Sequence, residues 1–211
     1  MMESAAARIR EQQGLLSQLD CIAGDGDHGT TMLRIMDRLE GAFKTDAPDL
    51  RASFSDAGWN VMGSDGGASS SLLGAFFLGV GEATRAGVSS WDCIQFAAAL
   101  QAGLQAIQAQ TKARSGDKTL MDALAPAVES LVAAAQAGND LASALKTAAE
   151  VAKAGASSTE NLIARYGRAR LLGEKTRGHQ DPGATSVALI FDGFSQAASE
   201  MKGGIEHARH G

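Results

Sequence analysis

The sequence predicts an all-α protein. Of its 211 residues 40 are Ala, only seven are Val and eight are Ile, and Pro occurs three times, a composition that favours helix and offers little for a sheet. Apolar residues recur at i, i+3, i+4 and i+7 in stretch after stretch, with glycine-bearing polar segments between them. Residues 8–19 read as a weak helix, and stronger patterns follow over 31–43 and 50–62. Residues 68–83 carry Gly74, Gly79 and Gly81 among Phe76, Phe77 and Leu78, and small residues there let neighbouring helices approach closely. Residues 91–108 form the next pattern. The clearest is Met121, Leu124, Ala125, Val128, Leu131, Val132 and Ala135, ended by Gly138-Asn139; Pro126 either bends that helix or sits in its first turns. Segments 141–154, 159–166 and 184–201 follow, so that, the weak first segment aside, roughly eight helices on short loops make a bundle.

The length and the lack of a Pro- or Ser-rich linker predict one domain over residues 1–211. A net charge of -5 and a pI near 5.4 argue against a nucleic-acid partner, which would require clustered excess Lys and Arg. Cys21 and Cys93 have neither disulfide-framework nor zinc spacing, so they read as reduced thiols of a cytoplasmic protein. No apolar run approaches the roughly 20 residues of a membrane span, and no secretory leader pattern is present.

The segment Asp20-Cys21-Ile22-Ala23-Gly24-Asp25-Gly26-Asp27-His28-Gly29-Thr30-Thr31 places three carboxylates and an imidazole on glycine-rich backbone. Crowded carboxylates repel and raise one another's pKa, unless a hard cation such as Mg2+ takes their oxygens as ligands. Gly24, Gly26 and Gly29 also spell G-x-G-x-x-G, but a leading strand is missing and two Asp flank Gly26, against an uncompensated pyrophosphate. An EF-hand starting at Asp25 fails because its fifth and twelfth positions are Gly29 and Met36.

Three further loops carry chemistry. Gly63-Ser64-Asp65-Gly66-Gly67-Ala68-Ser69-Ser70-Ser71 leads into a helix whose free N–H groups and hydroxyls suit phosphate, or else form an ordinary N-cap. Ser115-Gly116-Asp117-Lys118-Thr119 has Asp where a Walker loop needs Lys; it is a nucleotide turn or a plain capped turn. Residues 165–183 are dense in cations, and Arg168, Lys175 or Arg177 can pair with phosphate oxygens; the alternative is a solvated basic loop. Together these are the parts phosphoryl transfer requires, since that reaction needs mainly positioning and charge neutralisation.

The strings GDGDHGTTM, GGASS, GDKT and GRARLLGEKTRGHQDPGATS resemble, in order and spacing, the nucleotide-binding L subunit or C-terminal L domain of dihydroxyacetone kinases. The resemblance implies an eight-helix antiparallel barrel with ATP or ADP bound by loops at one end. It implies that Asp20, Asp25 and Asp27 hold two Mg2+ ions. Nucleotide contacts fall on His28, Gly29, Thr30, Thr31, Ala68 and Ser69, with Arg168 facing the phosphates and Asp181, Pro182 and Gly183 near the nucleoside. Thr111 and Leu120 stand around the base where many relatives have Gly and Met, and Asp65 adds a carboxylate before the phosphate cradle. The N-terminal helix looks short for the family, which would thin one barrel wall.

In such kinases a separate K subunit holds the ketone on its own His, so this chain would be half an enzyme. That agrees with His28 in the metal loop, His179 in the last turn, and His207 and His210 in a frayed tail. ATP is the expected donor, on the strength of Thr30-Thr31. The alternatives are standing ADP rephosphorylated by a phosphocarrier subunit, or a nucleotide-sensing regulatory module.

Overall fold

The computed structural model describes residues 1–44 and 47–210, apart from the side chains of residues 23 and 204–210. The expected fraying of His207 and His210 lies outside the described side chains. Among the described residues there is no strand. The helices are α1 (Met2–Glu11), α2 (Gln13–Ala23), α3 (His28–Phe43), α4 (Leu50–Met62), α5 (Gly67–Ala83), α6 (Cys93–Gln110), α7 (Met121–Gln136), α8 (Leu141–Ser158) and α9 (Pro182–His210). None is long and apolar enough to cross a membrane.

From α3 to α9 each helix packs on the next, and α1 packs on both α9 and α3. With α1 and α2 broken only at Gln12 (φ −108°, ψ 13°), they count as one wall, and the eight walls close a ring. Neighbours are antiparallel, most through short connections and α8–α9 through the longer 159–181 segment, and the starts of α3, α5, α7 and α9 all border one cleft. The α2–α3, α4–α5, α6–α7 and α8–α9 connections therefore meet at one end of the barrel, and the others at the opposite end.

The interior is filled by the predicted apolar stripes. Met32, Ile35, Met36 and Leu39 of α3 are buried, as are Met121, Leu124, Val128 and Leu131 of α7. The end opposite the α2–α3 loop is closed by aromatic rings, Phe54 lying 4.9 Å from Phe43 and 5.1 Å from Trp91 between centroids. Aspartates cap two helices: Asp92 and Gln95 form a capping box on α6, and the Asp140 carboxylate accepts from Ser143 N–H (3.0 Å) on α8.

Close helix approach rests on glycine, as the α5 sequence predicts. A Cβ on Gly79 would lie 2.6 Å from the Ala106 Cβ of α6, and one on Gly74 would lie 2.8 Å from the Met62 Cβ of α4. A third contact involves Pro126, which lies inside α7 and leaves the Asp122 carbonyl without its i+4 donor. Gly155 of α8 passes directly over that carbonyl, where a Cβ would sit 2.2 Å from the oxygen.

The N-terminal wall runs from Met2 and buries Ala5, Ala6, Ile9 and Leu16. One expectation is corrected. Residues 159–166 are not an α-helix, because only Thr159–Asn161 forms a 3-10 turn and Leu162 is extended (φ −96°, ψ 156°). The Thr159 hydroxyl donates to Ala156 O (2.5 Å) and accepts from Asp181 N–H (2.8 Å), while its carbonyl accepts from Lys118 Nζ. Tertiary bonds of that kind take the groups a helix would have used.

Replacing Gly155 by Ala is expected to destabilise the fold by about 1–3 kcal/mol, because the methyl forces apart two backbones. At Gly41, where an added Cβ meets nothing within 4 Å, the same change should stabilise by up to about 1 kcal/mol through helix propensity. Urea denaturation of the two variants checks the opposite signs.

Candidate functional site

The four loops of one barrel end surround a cleft of about 630 Å³. Its first wall is the α2–α3 loop. Gly24 N–H donates to Asp20 O (2.6 Å), and a Cβ at Gly24 would lie 2.2 Å from Asp20 Oδ1, so glycine is what lets the carboxylate lie against the loop. Gly26 takes φ +78°, a left-handed conformation natural to glycine. Asp20, Asp25 and Asp27 each bring a carboxylate oxygen to within 4.8 Å of the others. Asp20 also accepts from His28 N–H (3.3 Å).

Charge in this corner is unbalanced. Burial, and then the charges of Asp25 and Asp20, push the Asp27 carboxyl up, whereas the Arg168 guanidinium bonded to Asp25 holds that carboxyl down. Arg168 reaches Asp25 as an ion pair from the segment before α9 and brings a cation to the carboxylate corner. Three clustered hard oxygens on flexible glycine backbone fit an octahedral, oxygen-preferring cation such as Mg2+.

His28 is buried and its pKa is pulled down by burial. The Ser186 hydroxyl donates to Pro182 O (3.0 Å), so the imidazole Nε2–H donates to Ser186 Oγ (2.8 Å). That bond ties the start of α3 to the first turn of α9. Thr31 lines the cleft, and its hydroxyl accepts from Arg34 (3.1 Å). Gly29 and Thr30 do not line it. Gly29 faces α2, where a Cβ would come within 2.3 Å of Gln13 O, and it can reach a ligand only through its N–H at the α3 N-terminus.

Opposite lies the start of α5. The N–H groups of Gly67, Ala68 and Ser69 precede the first intrahelical bond, made by Ser70 N–H to Gly66 O (3.4 Å), and these positions line the cleft. Free N–H groups at a helix start favour an anion. Asp65 also lines the cleft and is exposed, so it brings an extra carboxylate beside the start of α5.

The remaining wall is made of Thr111, Ala113, Lys118, Thr119, Leu120, Asp181, Pro182 and Gly183. Asp181 caps α9 by accepting from Ala184 N–H (2.7 Å), and burial pushes its carboxyl up from 3.8 to about 7. Asp122 beneath is buried and takes Gly116 N–H (2.6 Å) and Thr119 N–H (2.7 Å), one on each oxygen. Together these bonds fix the GDKT turn.

Residues 22–196 match the family model described as the DAK2 domain. The chain belongs to the DAK2 domain family. This DAK2 chain is 37% identical over 190 residues to a PEP-dependent dihydroxyacetone kinase ADP-binding subunit DhaL of Listeria innocua, covering 90% of this chain and 89% of the relative. It is 36% identical over 186 residues to the corresponding Escherichia coli subunit, covering 88% of each. Among solved structures, the dihydroxyacetone kinase from C. freundii in complex with AMP-PNP and Mg2+ superposes with a TM-score of 0.71 at 29% identity. That match covers 93% of this chain and 33% of the C. freundii chain.

The cleft of the DAK2 chain also includes residues the motifs did not single out. Arg34 lies two helical turns into α3 from the Asp loop, so i+3 spacing from Thr31 would have found it. Tyr166 also lines the cleft, with no comparable sequence signal.

Because Asp181 has a raised pKa in the fold, the native state binds the extra proton between about pH 4 and pH 7, and stability from this group falls as pH rises through that window. Asp181→Asn keeps an oxygen for the cap. Its stability is expected to gain on that of the parent from pH 4 to 7 and to hold the advantage above, measured by urea unfolding across pH.

Proposed function

We propose that this chain, over its whole length 1–211, is the nucleotide-binding L-type subunit of a dihydroxyacetone or related short-ketose kinase. It would act in phosphoryl transfer as part of a complex with a K subunit that carries the ketone. The observation that carries the reading is the single cleft in which the Asp20, Asp25 and Asp27 carboxylates face the N-terminus of α5, in a chain of the DAK2 family. A cytoplasmic setting suits two unpaired thiols and a nucleotide ligand.

Asp20, Asp25 and Asp27 would hold two Mg2+ ions, which when bound supply counter-charge to nucleotide phosphates. The first-turn N–H groups at Ala68 and Ser69 would receive phosphate oxygens. Arg168 would stand beside them and offset charge that spreads over the transferred group. His28, held neutral by burial and fixed by Ser186, would orient the α3 terminus against that of α9 rather than move a proton. Thr111 and Leu120 would line the base, and Asp181, Pro182 and Gly183 the nucleoside side. All these groups position and neutralise; the acceptor hydroxyl comes from the partner.

The donor is the finer question. Thr30-Thr31 favours ATP that enters, gives its γ-phosphate and leaves as ADP. The names of the Listeria innocua and Escherichia coli relatives, PEP-dependent and ADP-binding, favour the second reading, in which ADP stays bound and a phosphocarrier subunit recharges it. Native mass spectrometry of the purified chain separates these: stoichiometric ADP surviving purification means the second, and an empty chain that takes up MgATP means the first. A chain that binds neither nucleotide with Mg2+ overturns the proposal.

Asp25→Asn is expected to weaken Mg2+-dependent nucleotide binding by roughly tenfold or more, since it removes a charged ligand worth a charge-assisted contact. The circular dichroism of the helices should stay unchanged. Isothermal titration with MgADP provides the check.

A further inference from the structure

We propose that Lys118 is a positioning residue that holds the nucleoside wall of the cleft in place by tying together three loops; the proposal rests on the nucleotide-binding reading above. Lys118 is the one non-glycine residue with a positive φ (58°) among the described residues, and it is 5% exposed. A buried ammonium needs acceptors. It finds them in two backbone carbonyls, Thr159 O and His179 O, both at 2.5 Å. These acceptors are 41 and 61 residues away in the chain, at the end of α8 and just before the cap of α9.

Both carbonyls belong to segments that build the nucleoside wall. The Thr159 hydroxyl accepts from Asp181 N–H (2.8 Å), and Gly178 N–H donates to Glu160 O (2.8 Å). Gly183 packs on Leu120, where a Cβ would meet the Leu120 Cβ at 3.3 Å. The 181–183 turn is thus bonded to the 159–160 turn and seated on the 118–120 turn, and from this last turn Lys118 bonds to Thr159 and to His179, just ahead of the 181–183 turn.

The charge of Lys118 is not spent on an ion pair. Asp181, Asp122 and Glu160 are the carboxylates that act on it, but none comes within ion-pair distance among the described residues. Asp122 is engaged by Gly116 and Thr119 N–H groups, and one Asp181 oxygen by Ala184 N–H. An ammonium has three donors, and the two carbonyls use two. Lys118 also lines the cleft, so the latch lies at the nucleotide-facing surface and not deep in the helical core.

The test uses the full chain with Lys118→Met, Lys118→Arg and Thr159→Val, the last keeping the carbonyl Lys118 uses while deleting the hydroxyl that holds Asp181. Amide hydrogen exchange of the ligand-free proteins, MgADP titration, and turnover with the K partner are measured. For Lys118→Met the expected result is faster exchange confined to residues 159–183. Nucleotide affinity should fall roughly tenfold or more, the loss of a charged hydrogen bond, with turnover at saturating nucleotide within about threefold. Lys118→Arg should recover most of the affinity, and Thr159→Val should move in the same direction as Met. Wild-type exchange in Lys118→Met, or faster exchange spread over every helix, overturns the latch. If the wild-type chain itself binds no MgADP, the functional reading fails while the exchange pattern still decides the role of Lys118.

Discussion

Three carboxylate oxygens within 4.8 Å of one another repel in any solvent, and the cleft end of the barrel is organised around that repulsion. Asp20 is turned back onto its own loop by Gly24 and receives the His28 N–H. Asp25 draws Arg168 from across the cleft. The starts of α3 and α5, each a ring of N–H groups with partial positive charge, face the same space. Glycine backbone brings the charges together, and helix ends with one guanidinium make the gathering tolerable.

A cluster of this kind holds its geometry only on a rigid frame, and the frame is built from small residues. Gly58, Gly74, Gly79, Gly81, Gly103 and Gly155 stand where neighbouring helices touch, each with no room for a methyl. Alanine fills much of the rest: Ala123 and Ala127 of α7 and Ala144, Ala148 and Ala152 of α8 are fully buried. Close backbone approach gives many dispersion contacts per residue with little side-chain entropy to lose. Two of the cleft loops, α2–α3 and α4–α5, can therefore stay short, because the helices that carry them barely separate.

Much of this was legible in the chain. Composition and periodicity gave the helical class, and α7 was readable residue by residue because its stripe is continuous and its stop is Gly-Asn. The Asp loop was readable because like charges crowded on glycine backbone call for a shared cation. Segment 159–166 was misread because its local pattern is helical while its polar groups are committed to Lys118 and Asp181, partners distant in sequence. Gly29 sits inside a motif, yet its missing side chain serves the packing of α3 on α2. Lys118 was hidden for the opposite reason: a lysine in a polar turn reads as solvated, and only the fold buries it.

The alternation of helix direction has a consequence for how such a unit can be combined with others. α1 begins, and α9 ends, at the end of the barrel opposite the cleft, where the Phe43, Phe54 and Trp91 rings close the interior. A neighbouring domain joined by a linker at either terminus would hang from that closed end and leave the cleft unobstructed. The C. freundii kinase chain, of which this fold occupies 33%, is an arrangement that such a topology permits. The same barrel is thus equally serviceable as a separate subunit or as one segment of a longer polypeptide, with no loop of the cleft rebuilt.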